Sequence, residues 1–198
     1  RARPMPLPGL RHAPRWVAGV LVVVVMQIAL GGWVSTNYAV LACQGFPACN
    51  GQWWPAMDAA HGFTILRQLG QTAQGDALSL PALVAIHMAH RLFAVVVVLA
   101  VVGLVLALRR TGDAAARHHA LLLTGLLAWQ LVSGLSNVVL GWPIVAALAH
   151  SVGAAGLVVV LTGLWARLRA GQSLATPLPA VQAAGKRTDA TAAGALRR

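Results

Sequence analysis

The stretch that decides the fold is ALVAIHMAHRLFAVVVVLAVVGLVLAL, residues 82–108, which is apolar except for two histidines and one arginine. A hydrocarbon core about 30 Å thick is crossed by about 20 helical residues, so this stretch can span a membrane. Three further apolar stretches, 16–34, 120–140 and 144–166, are of similar length. Within lipid each must be helical, because no water hydrogen-bonds its backbone. The sequence therefore predicts an all-α membrane protein, a bundle of four transmembrane helices.

The composition of the 198-residue chain agrees with this class. Hydrophobic residues make up 58% and charged residues 10%, with a mean hydropathy of +0.72. A soluble domain, with about a quarter of its residues charged, is excluded. The net charge is +11, but the basic residues cluster just outside the apolar stretches, as orientation signals do. We therefore expect membrane lipid as a partner and no nucleic acid.

Basic residues also predict the orientation of the helices. They precede the first stretch, follow the second and follow the fourth: Arg11, Arg15, Arg109, Arg110, Arg117, Arg167 and Arg169. The other two loops carry only Arg67. Because basic loops stay inside, both termini are predicted to be cytoplasmic in a multi-pass protein of the bacterial inner membrane. The expected organisation is a cytoplasmic linker at 1–15, a bundle at 16–169 with an outward loop at 37–80, and a disordered tail at 170–198.

Two features of the outward loop carry expectations. Cys43 and Cys49 lie on the oxidising side of the membrane, with Gly45 and Pro47 suited to a tight turn between them. A disulfide is therefore predicted in preference to two free thiols. Apolar residues recur at near-helical spacing over residues 57–69. This segment is either a helix on the membrane surface or a loop with incidental hydrophobic residues.

The histidines are the candidates for chemistry. The chain has no Glu, and its four Asp residues lie outside the apolar stretches, so no carboxylate relay crosses the membrane. His87 and His90 lie in the second stretch and His150 in the fourth, where polar residues usually mark a site. His61 is in the outward loop and contacts a partner or nothing. Three others are expected on a solvated basic surface: His12, His118 and His119.

His90 and His150 are predicted to lie at one depth in the membrane. Their helices run in the same direction, and the two residues come eight and six positions after the starts of their stretches. At 1.5 Å per residue the depths differ by only about 3 Å. Two histidines on different helices can ligate one porphyrin iron from opposite faces. His87 and His90 share one helix face and cannot both do so.

Arg91 favours a heme site over the alternatives. An arginine at this depth needs an anion, which a heme propionate would supply, although snorkelling to the headgroups is also open. His87, one turn before Arg91, either lines the heme edge or orients these groups. The alternatives are a zinc or copper site of three histidines, and histidines that only hydrogen-bond neighbouring helices. Small residues beside His150 would make room for a flat macrocycle, but helix packing explains the remaining polar and small residues equally well: Gln27, Gln130, Asn137, Gly31, Gly32, Gly125, Gly134, Gly153 and Gly156.

Four motifs in order resemble the heme A synthase family. They are GGWVSTNYAVLACQGFPAC at 31–49, GQWWP at 51–55, AIHMAHR at 85–91, and SNVVLGWP at 136–143 followed by AH at 149–150. The resemblance spans residues 22–161, and the combination of motifs is specific although each alone is weak.

The resemblance implies more than the spacing does. Members of the familiar type have eight transmembrane helices in two similar bundles, and oxidise the methyl group of heme O to the formyl group of heme A for cytochrome c oxidase. This chain resembles the C-terminal four-helix half. The resemblance implies heme b with His90 and His150 as axial ligands of the iron, Arg91 beside them, and a Cys43–Cys49 disulfide. It also implies heme O as substrate and heme O synthase, a protoheme farnesyltransferase, as partner.

One departure from the family pattern matters most. In the catalytic bundle of the family a Glu stands three residues before the first ligand, and here that place holds His87. No catalytic residue is therefore assigned. We expect this chain to pass electrons, as a piece of a longer oxidoreductase whose chemistry lies in a preceding half. The alternative is a b-type cytochrome or membrane electron-transfer module without chemistry of its own. Homo-oligomer formation stays open.

Overall fold

The computed structural model describes Met5 and residues 12–175 of the chain. That part contains four long helices and no strand: α1 (Ala13–Thr36), α2 (Leu80–Arg110), α3 (Ala114–Val139) and α4 (Ile144–Ala175). All four are long and apolar enough to cross a membrane. The predicted all-α fold with four spans is confirmed.

The helices extend past the ends of the apolar stretches. α1 begins at Ala13, inside the predicted linker, because Pro14 suits the first turn of a helix. α3 begins at Ala114, where the Asp113 side chain accepts a hydrogen bond from the N–H of Ala116 at 2.8 Å. α4 continues to Ala175, so the tail predicted from residue 170 starts as helix. Residues 176–198 of that tail lie outside the described residues.

The four helices form a closed square. α1 packs mainly against α2 and α4, and α3 packs against the same two helices. α2 and α4 therefore lie diagonally across the bundle, and they run in the same direction because one span separates them.

The packed core fills only one half of the bundle. Its most outward members are Val24 on α1, Val97 on α2, Leu127 on α3 and Leu157 on α4, and the rest lie toward the predicted cytoplasmic side. Residues 25–33, 89–96 and 144–152 include no buried position. The bundle is therefore tightly packed in its inner half, followed by a less closely packed level, and further outward it packs again where the outward loop meets α1 and α2.

The core also contains an internal repeat. The buried positions of α1 recur on α3 with an offset of 103 residues (13 to 116): Ala13, Val17, Val20, Val24 and Ala116, Ala120, Leu123, Leu127. Those of α2 recur on α4 with an offset of 60 residues (97 to 157): Val97, Val101, Leu104, Leu108 and Leu157, Leu161, Leu164, Leu168. The bundle therefore consists of two equivalent helical hairpins, α1–α2 and α3–α4.

The outward loop is folded against the outer end of α2. Cys43 and Cys49 form the predicted disulfide, which is confirmed, and both cysteines are buried beside Val84 and Met88. The loop is therefore fastened to α2 next to the two histidines of that helix.

The second part of the outward loop differs from the helical expectation for residues 57–69. Only one helical turn forms, at Ala59–Gly62. Contacts with α2 explain why the helix is so short. The N–H of Asp58 donates to the carbonyl of Pro81, and Gly62 packs closely against the backbone of Ala82. The hydrogen-bond partner of His61 is a residue of the same loop. The backbone N–H and the ring of His61 both bond to Asp58, which lowers the pKa of that carboxyl.

Candidate functional site

His90 lies on α2 and faces α1. A Cβ added to Gly31 would lie 3.0 Å from Cε1 of the imidazole, so the absence of a side chain there leaves room for the ring. Gln27, one turn before Gly31, donates from Nε2 to the backbone carbonyl of His90 at 3.1 Å. The same Nε2 lies 3.1 Å from Nδ1 of the ring. α1 therefore holds both the backbone and the side chain of His90.

His150 lies on α4 and is held by α3 in a corresponding way. A Cβ added to Gly134 would lie 3.1 Å from Cε1 of the ring. Gln130 donates from Nε2 to the backbone carbonyl of His150 at 2.8 Å. The hydroxyl of Ser133 lies 3.0 Å from Nδ1.

The two histidines occupy equivalent positions of the internal repeat. QIALG at 27–31 of α1 corresponds to QLVSG at 130–134 of α3, with the 103-residue offset of the core. His150 follows His90 by the 60-residue offset that relates α4 to α2. A twofold relation within the bundle therefore presents two imidazoles from diagonal helices at one level.

Both rings lie at the less closely packed level of the bundle. His90 and His150 each precede the most outward residue of the inner core on their helix, Val97 and Leu157, by seven positions, or about two turns. An apolar groove of 380 Å³ opens beside Ser133, between the outer ends of α3 and α4. The groove adjoins Ser133, whose hydroxyl lies beside the ring of His150.

Arg91 is a half-buried cation with unused donors. Its Nη2 donates to the carbonyl of Cys43 at 2.6 Å, so the disulfide segment positions the guanidinium. Nε and Nη1 are buried and have no hydrogen-bond partner in the described part of the chain. Buried charges are normally paired, and a guanidinium pairs best with a carboxylate or phosphate. The donor set therefore fits an anionic group such as a heme propionate.

His87 is engaged by the outward loop. It is 5% exposed, and its Nδ1 lies 2.9 Å from the carbonyl of Ala39. Within Met5 and residues 12–175, no group of three or more His, Cys, Asp and Glu side chains could hold a metal ion. The three-histidine zinc or copper site is therefore not supported, and the ring of His87 contacts the backbone of the outward loop.

One of the histidines on the predicted cytoplasmic side was wrongly predicted to be solvated. His119 is buried, with Nδ1 2.8 Å from the carbonyl of Ala115, whereas His12 and His118 are exposed. The reason is its helix face, since His119 follows the core position Ala116 by three residues and precedes the core position Leu123 by four.

Sequence reasoning missed Ser133 and treated the glutamines and glycines around the histidines as packing residues only. The signal that identifies them is the repeat. The pattern of Gln, three residues and Gly occurs on α1 and α3, each time opposite a histidine of the following helix.

Fold and site together define a class: an integral membrane four-helix bundle with a twofold-related histidine pair at its less closely packed level. The family model described as COX15-CtaA, cytochrome oxidase assembly protein, matches residues 2–162. The chain belongs to this family, and it is a multi-pass bacterial membrane protein.

Two curated relatives carry the name heme A synthase. That of Shewanella oneidensis is 38% identical over 141 residues, which cover 71% of this chain and 42% of the relative. That of Methylobacterium radiotolerans is 30% identical over 175 residues, which cover 88% of this chain and 44% of the relative. The chain thus spans less than half the length of these relatives. No solved structure matches it.

Proposed function

We propose that this chain is the heme b-binding, electron-transferring half of a heme A synthase. Membership of the cytochrome oxidase assembly family and the names of the two relatives support a role in heme A synthesis. The observation that carries the proposal is the pair His90 and His150, on diagonal helices and at equivalent repeat positions, at the level where the packed core is absent. Bundle interiors of this kind commonly hold cofactors between facing helices.

Each part of the site has a task in this proposal. His90 and His150 bind the iron, and Gly31 and Gly134 leave room for their rings. The free Nη1 and Nε of Arg91 bind a propionate, while Nη2 stays on the disulfide segment. Bound heme b supplies one-electron transfer. The neighbouring helices α1 and α3 hold both histidines through Gln27 and Gln130.

The reaction of the whole enzyme is proposed with its substrate and partner. Heme O, supplied by heme O synthase, a protoheme farnesyltransferase, is oxidised at a methyl group to the formyl group of heme A. The chain has no Glu, and His87 bonds to Ala39, so no residue of this chain is assigned to that oxidation. In this proposal the oxidation belongs to a second four-helix half.

The alternative function is a b-type cytochrome or membrane electron-transfer module without chemistry of its own. The lack of any Glu favours it. The two functions predict different results in cells that make their own heme A. Replacing His150 by alanine in the native protein abolishes heme A if the chain serves the synthase, and leaves heme A unchanged if it is a separate cytochrome.

The native protein, purified in detergent, is expected to contain one low-spin b-type heme for each copy of this chain. Two imidazole ligands produce a strong-field, six-coordinate iron. The reduced-minus-oxidised difference spectrum and a pyridine hemochrome assay measure the spin state and the stoichiometry. Zinc or copper without a Soret band would contradict the proposal.

Replacing Arg91 by leucine is expected to speed heme loss roughly tenfold, the usual scale for residues that support a bound metal group. The reason is that Nη1 and Nε lose the anion they bind. Transfer of heme to excess apomyoglobin measures the rate. Arg109→Leu is the matched control, because Arg109 is exposed at the cytoplasmic end of the same helix. Equal rates in the two variants would contradict the assignment of Arg91.

A further inference from the structure

The two halves of the site are equivalent in their backbone contacts but unequal at Nδ1 of the histidines. The hydroxyl oxygen of Ser133 lies 3.0 Å from Nδ1 of His150, and this hydroxyl donates its own proton to the carbonyl of Trp129 at 2.7 Å. On α1 the position 103 residues before Ser133 is Leu30, which has no hydrogen-bonding group. The internal repeat therefore does not include the hydrogen bond at Nδ1 of the histidine.

A histidine that binds iron through Nε2 carries its proton on Nδ1, and this proton needs an acceptor. The oxygen of Ser133 is a well-oriented acceptor for His150, because its own proton is already committed to Trp129. In the described part of the chain, the group beside Nδ1 of His90 is Nε2 of Gln27, a donor that also bonds to the carbonyl of His90, while the buried Oε1 of Gln27 has no partner. The strength of the acceptor tunes the basicity of the ligand.

We propose that Ser133 is a positioning residue that accepts the Nδ1 proton of His150, which makes His150 the more strongly donating of two unequal ligands. This inference rests on the proposed function. A more basic ligand stabilises ferric over ferrous iron, so the Ser133 hydroxyl lowers the reduction potential of the site. The bond to Trp129 also restricts the hydroxyl to one orientation, which fixes the plane of the imidazole.

The test compares variants of the native holoprotein by redox titration and by electron paramagnetic resonance of the ferric state. Ser133→Ala is expected to lower the affinity for ferric heme by up to about tenfold. For one electron this corresponds to a rise in potential of up to about 59 mV. The electron paramagnetic resonance signal of the low-spin ferric state is expected to shift together with the potential.

The matched control is Ser136→Ala. Ser136 lies on the same helix, and its hydroxyl donates only to the carbonyl of Val132, at 2.8 Å. This variant is expected to keep the potential of the unmodified protein. Leu30→Ser, added to Ser133→Ala, places a hydroxyl at the equivalent position opposite His90 and is expected to return the potential toward its original value.

The outcomes separate this inference from the proposed function. A protein with no bis-histidine heme signal before any substitution overturns the proposed function. A normal signal with equal potentials in Ser133→Ala and Ser136→Ala overturns the role of Ser133 alone. Ser133→Ala could lose heme altogether, and Ser133→Thr, which keeps the hydroxyl, is then the variant to measure. It must retain both the heme and the reduction potential of the unmodified protein. Its failure to do so also overturns the role of Ser133.

Discussion

Leucine in place of Gly31 or Gly134 is expected to abolish heme retention while the inner half of the bundle stays folded. A Cβ at these positions would lie 3.0 Å and 3.1 Å from Cε1 of His90 and His150. Such contacts are tighter than ordinary van der Waals contact, and leucine adds three more carbons in the same direction. The rings must move away, and a porphyrin then loses its ligands. The packed core lies further inward and is untouched.

Neighbouring glycines provide matched controls for this prediction. A Cβ added to Gly32 on α1 or to Gly125 on α3 would meet no atom within 4 Å. Gly32→Leu and Gly125→Leu are therefore expected to retain heme. The heme content of purified protein, measured as Soret absorbance per chain, distinguishes the two groups. Full heme content in Gly31→Leu and Gly134→Leu would show that these glycines do not line the site.

Alanine in place of either His90 or His150 is expected to remove the low-spin heme signal. Each face of the iron needs one imidazole, so one substitution already destroys six-coordinate ligation. The double variant is expected to be no worse than the single variants, because residues that act as one unit are not additive.

The reduced-minus-oxidised spectrum of each histidine variant measures the signal. His118→Ala is the control, since His118 is exposed on the predicted cytoplasmic side of the bundle. Loss of signal in this control as well would indicate that the substitutions act through folding and not through ligation.

The four spans and the disulfide were predictable from sequence because their causes are local. A run of apolar residues long enough to cross lipid fixes a helix. Two cysteines six positions apart, with Gly45 and Pro47 between them, can meet through a local turn. The helix ends were less predictable. α4 continues to Ala175 although its apolar stretch ends earlier, because residues 167–175 contain no proline and the one glycine, Gly171, weakens a helix without ending it.

The surroundings of the histidines were harder to predict because they depend on which helices become neighbours. Gln27 and Gly31 contact His90, which lies about 60 residues later in the sequence, and no local pattern indicates that contact. The same reason explains the outward loop. Its near-helical spacing gave way to a single turn because Asp58 bonds to Pro81 of α2. The repeat between α1 and α3 would have indicated the contacts of Gln130 and Gly134.

The most direct test of the account is the near-infrared magnetic circular dichroism of the oxidised native holoprotein, in which the position of the charge-transfer band identifies both axial ligands of a low-spin heme. The account predicts the band of two imidazoles, and its disappearance in both His90→Ala and His150→Ala. A bis-imidazole band that persists unchanged in either variant would show that the iron is held by other residues.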